Sequence, residues 1–209
     1  MKNCIALIAG VLILAGCAGN NKTPGHFCAT PLPSGISIDS LADCTVAAGF
    51  NTADFDWRNG SLSMDVYAEY RYDAADVARL QAGDTIVYEG NKPLAVDSIE
   101  RRDRYVIING GIEQGGAELT PSDGGTYRAT NLDDHSVYSK LGRRAVPLAD
   151  DFIIIDCGEN PTDPNDTIRS QQKACLDRMK DYKRNFSPLD TRVRIENGRI
   201  KEIHRHWIP

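Results

Sequence analysis

The feature that most constrains the fold is a strict alternation. Phe55 and Trp57 precede Asn59-Gly60, and Leu62, Met64, Val66, Ala68 and Tyr70 then recur at every second position with polar residues between them. A period of two places those side chains on one face of an extended strand, because successive Cβ atoms point to opposite sides. Asn-Gly accepts two positive φ angles, so the segment predicts a hairpin with a two-residue type I′ turn. The pattern assigns Trp57 and Tyr70 to the core and leaves Tyr67 outside it.

The β signal continues along the chain. A short helix is predicted after Asp73, its cap, with Asp76 in the first turn, Val77 and Leu80 facing inward, and Gly83 at its end. Strands are expected at Thr85–Tyr88, Leu94–Ile99, Tyr105–Ile108, Ala117–Leu119, Thr126–Thr130, Val137–Tyr138, Ala145–Leu148 and Phe152–Ile155. The last is continuously apolar and reads as a central strand. Ile168, Gln172, Cys175, Met179, Tyr182 and Phe186 recur at steps of four and three, which predicts a helix starting near Asp166 or Thr167. A second Asn-Gly, at Asn197-Gly198, predicts a closing hairpin built on Val193, Ile195, Ile200, Ile203 and Trp207. The alternation slips between Ile200 and Ile203, which predicts a bulge. The expected fold is α+β: mainly antiparallel sheet, sandwich or open barrel-like, with one short helix, one longer C-terminal helix and a terminal β-hairpin. Residues 28–209 are expected to form one disulfide-stapled domain.

Composition narrows the class. The 209 residues carry 24 Lys and Arg against 29 Asp and Glu, a net charge of −5. Apolar content is that of a globular protein, not of a disordered chain. No run of about 18 apolar residues occurs, which excludes a multi-pass helical membrane protein. The acidic balance argues against a general nucleic-acid binder. Charge is unevenly placed, with a net of −12 over residues 17–166 and +6 over 167–209. Complementation of the acidic body by the basic C-terminal segment is the expected meaning, and a patch for anionic lipid or an acidic partner is the alternative.

The N-terminus reads as an export signal. Lys2 precedes twelve uncharged residues, Ile5 to Gly16, too short as a helix to cross a bilayer. Leu14-Ala15-Gly16-Cys17 resembles the lipobox of bacterial lipoproteins. That resemblance implies cleavage of residues 1–16, a diacylglyceryl group on the Cys17 thiol and a further acyl chain, such as palmitate, on the new amino terminus. Each buried methylene contributes about 0.8 kcal/mol, so two or three chains anchor a protein firmly where one holds it marginally. Residues 17–27 would be a lipidated tether. The resemblance places the chain in the bacterial cell envelope, facing the periplasm or the exterior. Ala18, where Asp would signal retention, implies the outer membrane if the source has two.

Four further cysteines remain, Cys28, Cys44, Cys157 and Cys175. An even number in an exported chain implies disulfides, and four cysteines permit three connectivities. The local pairs Cys28–Cys44 and Cys157–Cys175 fit the spacing best, each contributing about 3 kcal/mol in the chain-entropy model. No Cys-x-x-Cys occurs, and only His26 lies near Cys28, so zinc is not expected.

Catalytic motifs are sparse. Phosphate-binding loops, nucleophile elbows and His-Glu-x-x-His are missing from the sequence. Ser170-Gln171-Gln172-Lys173 matches Ser-x-x-Lys of penicillin-binding enzymes without the accompanying Lys-Thr-Gly, and reads as a solvated helix face. His204 and His206 share a strand face but lack a third ligand. Asp133-Asp134-His135 reads as a polar turn. Glu159–Asp166 is rich in oxygen ligands without the order of a calcium loop. Among Trp57, Tyr67, Tyr70, Tyr72 and Trp207, one exposed aromatic makes no sugar platform. The expectation is therefore a non-enzymatic binding or envelope-interaction module without cofactor or metal, its partner an envelope or extracellular protein or a glycan and not nucleic acid. The alternative is an envelope hydrolase or small-molecule carrier that gathers Asp133, Asp134, Asp150 and Asp151. An inhibitor of other enzymes is a third reading, by analogy alone.

Overall fold

A computed structural model describes residues 26–156, 168–171, 186–206 and 208. Strand β1 (Cys28–Ala29) is followed by β2 (Cys44–Gly49), β3 (Phe55–Asp56), β4 (Ser61–Glu69) and β5 (Arg71–Asp73). Helix α1 (Ala74–Arg79) starts where the Asp73 carboxylate accepts the Ala75 backbone N–H at 2.8 Å, the predicted cap. Then come β6 (Thr85–Tyr88), β7 (Lys92–Ala95), β8 (Ile99–Arg102), β9 (Tyr105–Ile108), β10 (Ala117–Ser122) and β11 (Thr126–Thr130). The strand β12 (Tyr138–Asp156) runs for 19 residues, and β13 (Ile168–Gln171), β14 (Thr191–Glu196) and β15 (Arg199–Arg205) complete the order.

Five strands close on themselves. β2, β4 and β12 pair antiparallel in sequence, and β14 returns to lie against β2. Three consecutive strands with a fourth beside the first make a Greek key. β15 then pairs antiparallel with β14 and parallel with β12, which closes a barrel. β12 is long because it serves two neighbours: Tyr138–Pro147 pairs with β4, and Ile153–Asp156 with β15, with a register break between Leu148 and Ile153. The interior is filled by alternate residues, Leu62, Met64, Val66, Val193, Ile195, Ile200 and Ile203, all inaccessible to solvent. Ile200 and Ile203 both face inward because Lys201 is an extra residue. Ile195 pairs with Ile200 while Arg194 pairs with Glu202, and this is the predicted bulge.

Residues 70–137 lie between barrel strands β4 and β12 and build a second core. Their five-stranded sheet has the order β5-β11-β10-β9-β8, and a three-stranded sheet has the order β1-β6-β7, with β1 and β6 parallel. Tyr72, Ile86, Ile108, Leu119 and Val77 fill the space between them and α1. Buried Asp84 ties the segment to the start of the described chain, accepting the Phe27 N–H at 2.8 Å and the Gln81 N–H at 2.9 Å. Gly116 permits the closest approach, since a Cβ there would stand 1.9 Å from the Ile108 carbonyl oxygen.

The structure corrects the expected α+β class. The protein is mainly β with a closed five-stranded barrel, and its described α-helix has six residues. Where the longer C-terminal helix was to begin, Ile168–Gln171 is a strand paired antiparallel with Ile153–Asp156. Backbone pairing with β12 outweighs a helical period there. The rest of the helix-predicted segment up to residue 185 lies outside the described residues. Val137–Tyr138, Ala145–Leu148 and Phe152–Ile155, expected as three strands, fall within or beside one. Tyr70 is buried as expected, but Trp57 is 39% exposed and lies flat on Phe55 with ring centroids 4.9 Å apart.

Candidate ligand groove

One cross-strand row runs round the outside of the barrel. His204 on β15 is in register with Arg192 on β14, Arg192 with Ala47 on β2, Ala47 with Tyr67 on β4, and Tyr67 with Lys140 on β12. Directly opposite residues in a sheet share a face. The middle member of the row is an alanine, so long side chains flank a short one and leave a groove over β2. It measures about 500 Å³, with Thr45 and Ala47 as floor and Tyr67, Arg71, Tyr138 and Arg192 as walls. A segment from Leu32 to Ile36 forms the rim, held by the Leu32 N–H donating to the Arg71 carbonyl at 2.7 Å. Gly49 gives Tyr67 room to rest against β2, since a Cβ there would be 3.3 Å from the Tyr67 ring.

The charges are arranged unevenly. Glu69 accepts from the Arg71 guanidinium and from the Ser136 hydroxyl, which neutralises that pair within the wall. Arg192 spans the floor toward Tyr138, donating to its hydroxyl at 2.5 Å with the guanidinium carbon 5.4 Å from the ring centre. Its other amino group donates to the Pro188 carbonyl at 2.7 Å and the Thr191 carbonyl at 3.0 Å. A guanidinium has five N–H donors. Its Nε–H and one further N–H have no partner, and no carboxylate pairs with Arg192, among the described residues. Just beyond, the rings of His204 and His206 are 3.9 Å apart, and desolvation together with the positive charges of His204 and Arg192 holds His206 below the usual imidazole range.

The residues singled out from sequence fall elsewhere. Asp133 and Asp134 stand in a turn organised by the Asn131 side chain, which accepts the Asp133 and His135 N–H groups, and Asp134 is salt-bridged to Arg128 at 3.0 Å. Asp150 and Asp151 stand on β12 in the other sheet, and Asp151 is bound by Lys201 at 2.5 Å. The four carboxylates are therefore divided between a turn after β11 and the far part of β12, and are not gathered. Lys201 on Asp151 and Arg205 on Asp156 are the C-terminal cations set against the acidic body, as the charge split predicts. The His26 ring stands 3.2 Å from where a Cβ of Gly83 would be. Cys28 opens β1 and half-buried Cys44 opens β2, in different sheets, and no disulfide joins these two; burial raises the Cys44 thiol above its ordinary value. Cys17, Cys157, Cys175, Lys173, Trp207 and the Glu159–Asp166 loop lie outside the described residues, and Ser170 lies on β13. No cluster of three metal-ligating side chains occurs among the described residues.

That Tyr67 points away from the barrel interior was readable from alternation, though it is half-buried and not exposed. Arg192, Tyr138, Arg71 and Glu69 were not, because side chains brought together from β14, β12, β5 and β4 are visible only once strand pairing is known. The fold and groove together define a class, a closed Greek-key β-barrel with a β-rich insertion between its second and third strands and a cationic, tyrosine-lined depression on its outer face. No family model, curated protein or solved structure matches the chain.

Proposed function

We propose that the chain is a lipid-anchored protein of the bacterial cell envelope whose folded part binds a ligand without performing chemistry on it. The single observation that carries the binding half is the groove, where Arg192 stands without a carboxylate partner among the described residues, over a floor of Ala47 and Thr45. Such concave sites with a few convergent polar groups are the usual places for small ligands. Binding is favoured over hydrolysis because Asp134, in a turn, and Asp151, on β12, each face a cation, and among the described residues Glu69 alone brings a carboxylate to the groove.

The anchoring half rests on Leu14-Ala15-Gly16-Cys17 as a lipobox. Acylation of Cys17 would hold the barrel close to the bilayer on the tether of residues 17–27, at the outer membrane in a cell with two membranes. Metabolic labelling with an alkyne-bearing palmitate tests this. The wild-type chain is expected to take up label and fractionate with membranes, and Cys17→Ser to do neither. A wild-type product that keeps its leader and stays unlabelled would overturn the anchor.

A further inference from the structure

We infer that the groove recognises a short sugar bearing a single carboxylate, a uronic acid unit, with Arg192 holding the carboxylate and Tyr67 supplying the face on which the ring packs; this rests on the groove's being the binding site. Charge comes first. Glu69 and Arg71 cancel, so the net charge of the walls is that of Arg192 alone, which matches a monoanion. A guanidinium edge with two unused N–H groups fits the two oxygens of a carboxylate. A long polyanion is disfavoured by the chain's own net charge of −5.

Shape and polarity select the rest. Thr45, Tyr67 and Tyr138 line the groove with hydroxyls, which both donate and accept, as sugar hydroxyls require. The Tyr67 ring and the Ala47 methyl provide the apolar contact for the less polar face of a pyranose. About 500 Å³ suits a disaccharide-sized ligand. An extended peptide would instead add to a free strand edge, and the groove lies on the face of β2, paired on both sides by β4 and β14.

Calorimetric titration of the mature chain with cellobiouronate, with neutral cellobiose and with a short single-stranded oligonucleotide tests the assignment. Cellobiouronate is expected to bind saturably, cellobiose at least tenfold more weakly, and the oligonucleotide not at all. Arg192→Gln and Tyr67→Ala should each weaken cellobiouronate binding at least tenfold, with circular dichroism reporting that the fold is retained. Because Arg192 also ties down the Pro188 and Thr191 carbonyls, Tyr67→Ala is the deciding variant if Arg192→Gln unfolds. Equal, Tyr67-dependent binding of the two sugars would overturn carboxylate recognition while leaving the groove as the binding site. Binding indifferent to Tyr67→Ala, binding of the oligonucleotide alone, or no binding would overturn the inference altogether, and none of these bears on acylation of Cys17.

Discussion

Asp156 and Arg205 form a bidentate pair across the parallel seam that closes the barrel. Arg205 Nε donates to one carboxylate oxygen at 2.9 Å and Nη2 to the other at 2.6 Å, with the side chains 3% and 5% exposed. They are partners in the β12–β15 register, and the Arg205 guanidinium also stands 6.0 Å from the centre of the Phe186 ring. A buried ion pair gains little over a well-packed apolar pair, yet losing one member strands a charge. Asp156→Leu, which leaves the buried Arg205 guanidinium without its carboxylate, should cost about 3–5 kcal/mol, and the double variant with Arg205→Met less than the sum of the two single losses. Urea denaturation of the four proteins measures the coupling. Additive losses would mean that the pair does not act as a unit.

Gly116 sets the limit on substitution in the insertion. With the Ile108 carbonyl oxygen 1.9 Å from where a Cβ would sit, Gly116→Ala must push β9 and β10 apart just before Ala117 pairs with Ile108. Gly124, at φ +70, meets nothing within 4 Å, so Gly124→Ala carries only the left-handed backbone penalty of about 1 kcal/mol. Thermal melts should show a small shift for Gly124→Ala and a loss of several kcal/mol or of the folded insertion for Gly116→Ala.

The two Asn-Gly pairs show what local sequence can and cannot decide. At Asn197-Gly198 both residues take positive φ, 50° and 70°, and Glu196 pairs with Arg199, so the turn is the predicted two-residue one. At Asn59-Gly60 only Gly60 does, at 60°. The Asp56 carboxylate accepts from the Arg58 N–H, the Asn59 N–H and the Asn59 side chain, and this local network makes a four-residue loop between Asp56 and Ser61. Strands such as Thr85–Tyr88 and Thr126–Thr130 were legible because short runs of β-branched and aromatic residues between turn signals are a local pattern. Barrel closure was not, because it depends on β15 finding β12 in parallel, a choice made by packing. The groove inherits that difficulty, since Arg192 and Tyr138 meet across 54 residues of chain.

Alkaline stability should be governed by the insertion core. Tyr72 is inaccessible and donates to the Val87 carbonyl at 2.7 Å, and burial pushes its hydroxyl far above the ordinary tyrosine value. Burial, with the negative charges of Glu89 and Glu118, pushes Tyr88 up to about 12. A raised folded-state value means that the unfolded chain loses its proton first as pH rises, so stability is complete below about pH 10 and declines above it. Denaturant midpoints from pH 9 to 12 should fall steeply only past pH 10. Tyr72→Phe should flatten that fall while costing about 1 kcal/mol at neutral pH through the lost hydrogen bond. An unchanged alkaline limb in Tyr72→Phe would shift the effect to Tyr88.

Arg101 closes the described helix from outside. Its Nη2 reaches the carbonyls of Val77, Ala78 and Leu80 at 3.0, 3.2 and 2.9 Å, at the C-terminal end where a helix runs out of internal N–H donors, and it shares the Val77 carbonyl with the Leu80 N–H. Six residues are too few to hold a helix in water, so α1 depends on its Asp73 cap, on burial of Val77 and on this cation from β8. The positive charge also opposes the negative end of the helix dipole. Arg101→Ala should cost about 1.5–3 kcal/mol, the range for a hydrogen bond made by a charged group. Arg101→Lys, keeping charge but losing the planar fork, should recover part of the loss. Native-state hydrogen exchange would place the weakening: Leu80 N–H, which donates to the Val77 carbonyl at 3.3 Å, should exchange faster in Arg101→Ala, while barrel amides such as Val193 keep their protection. Equal acceleration in the barrel would mean that Arg101 supports the whole fold instead of one helix end.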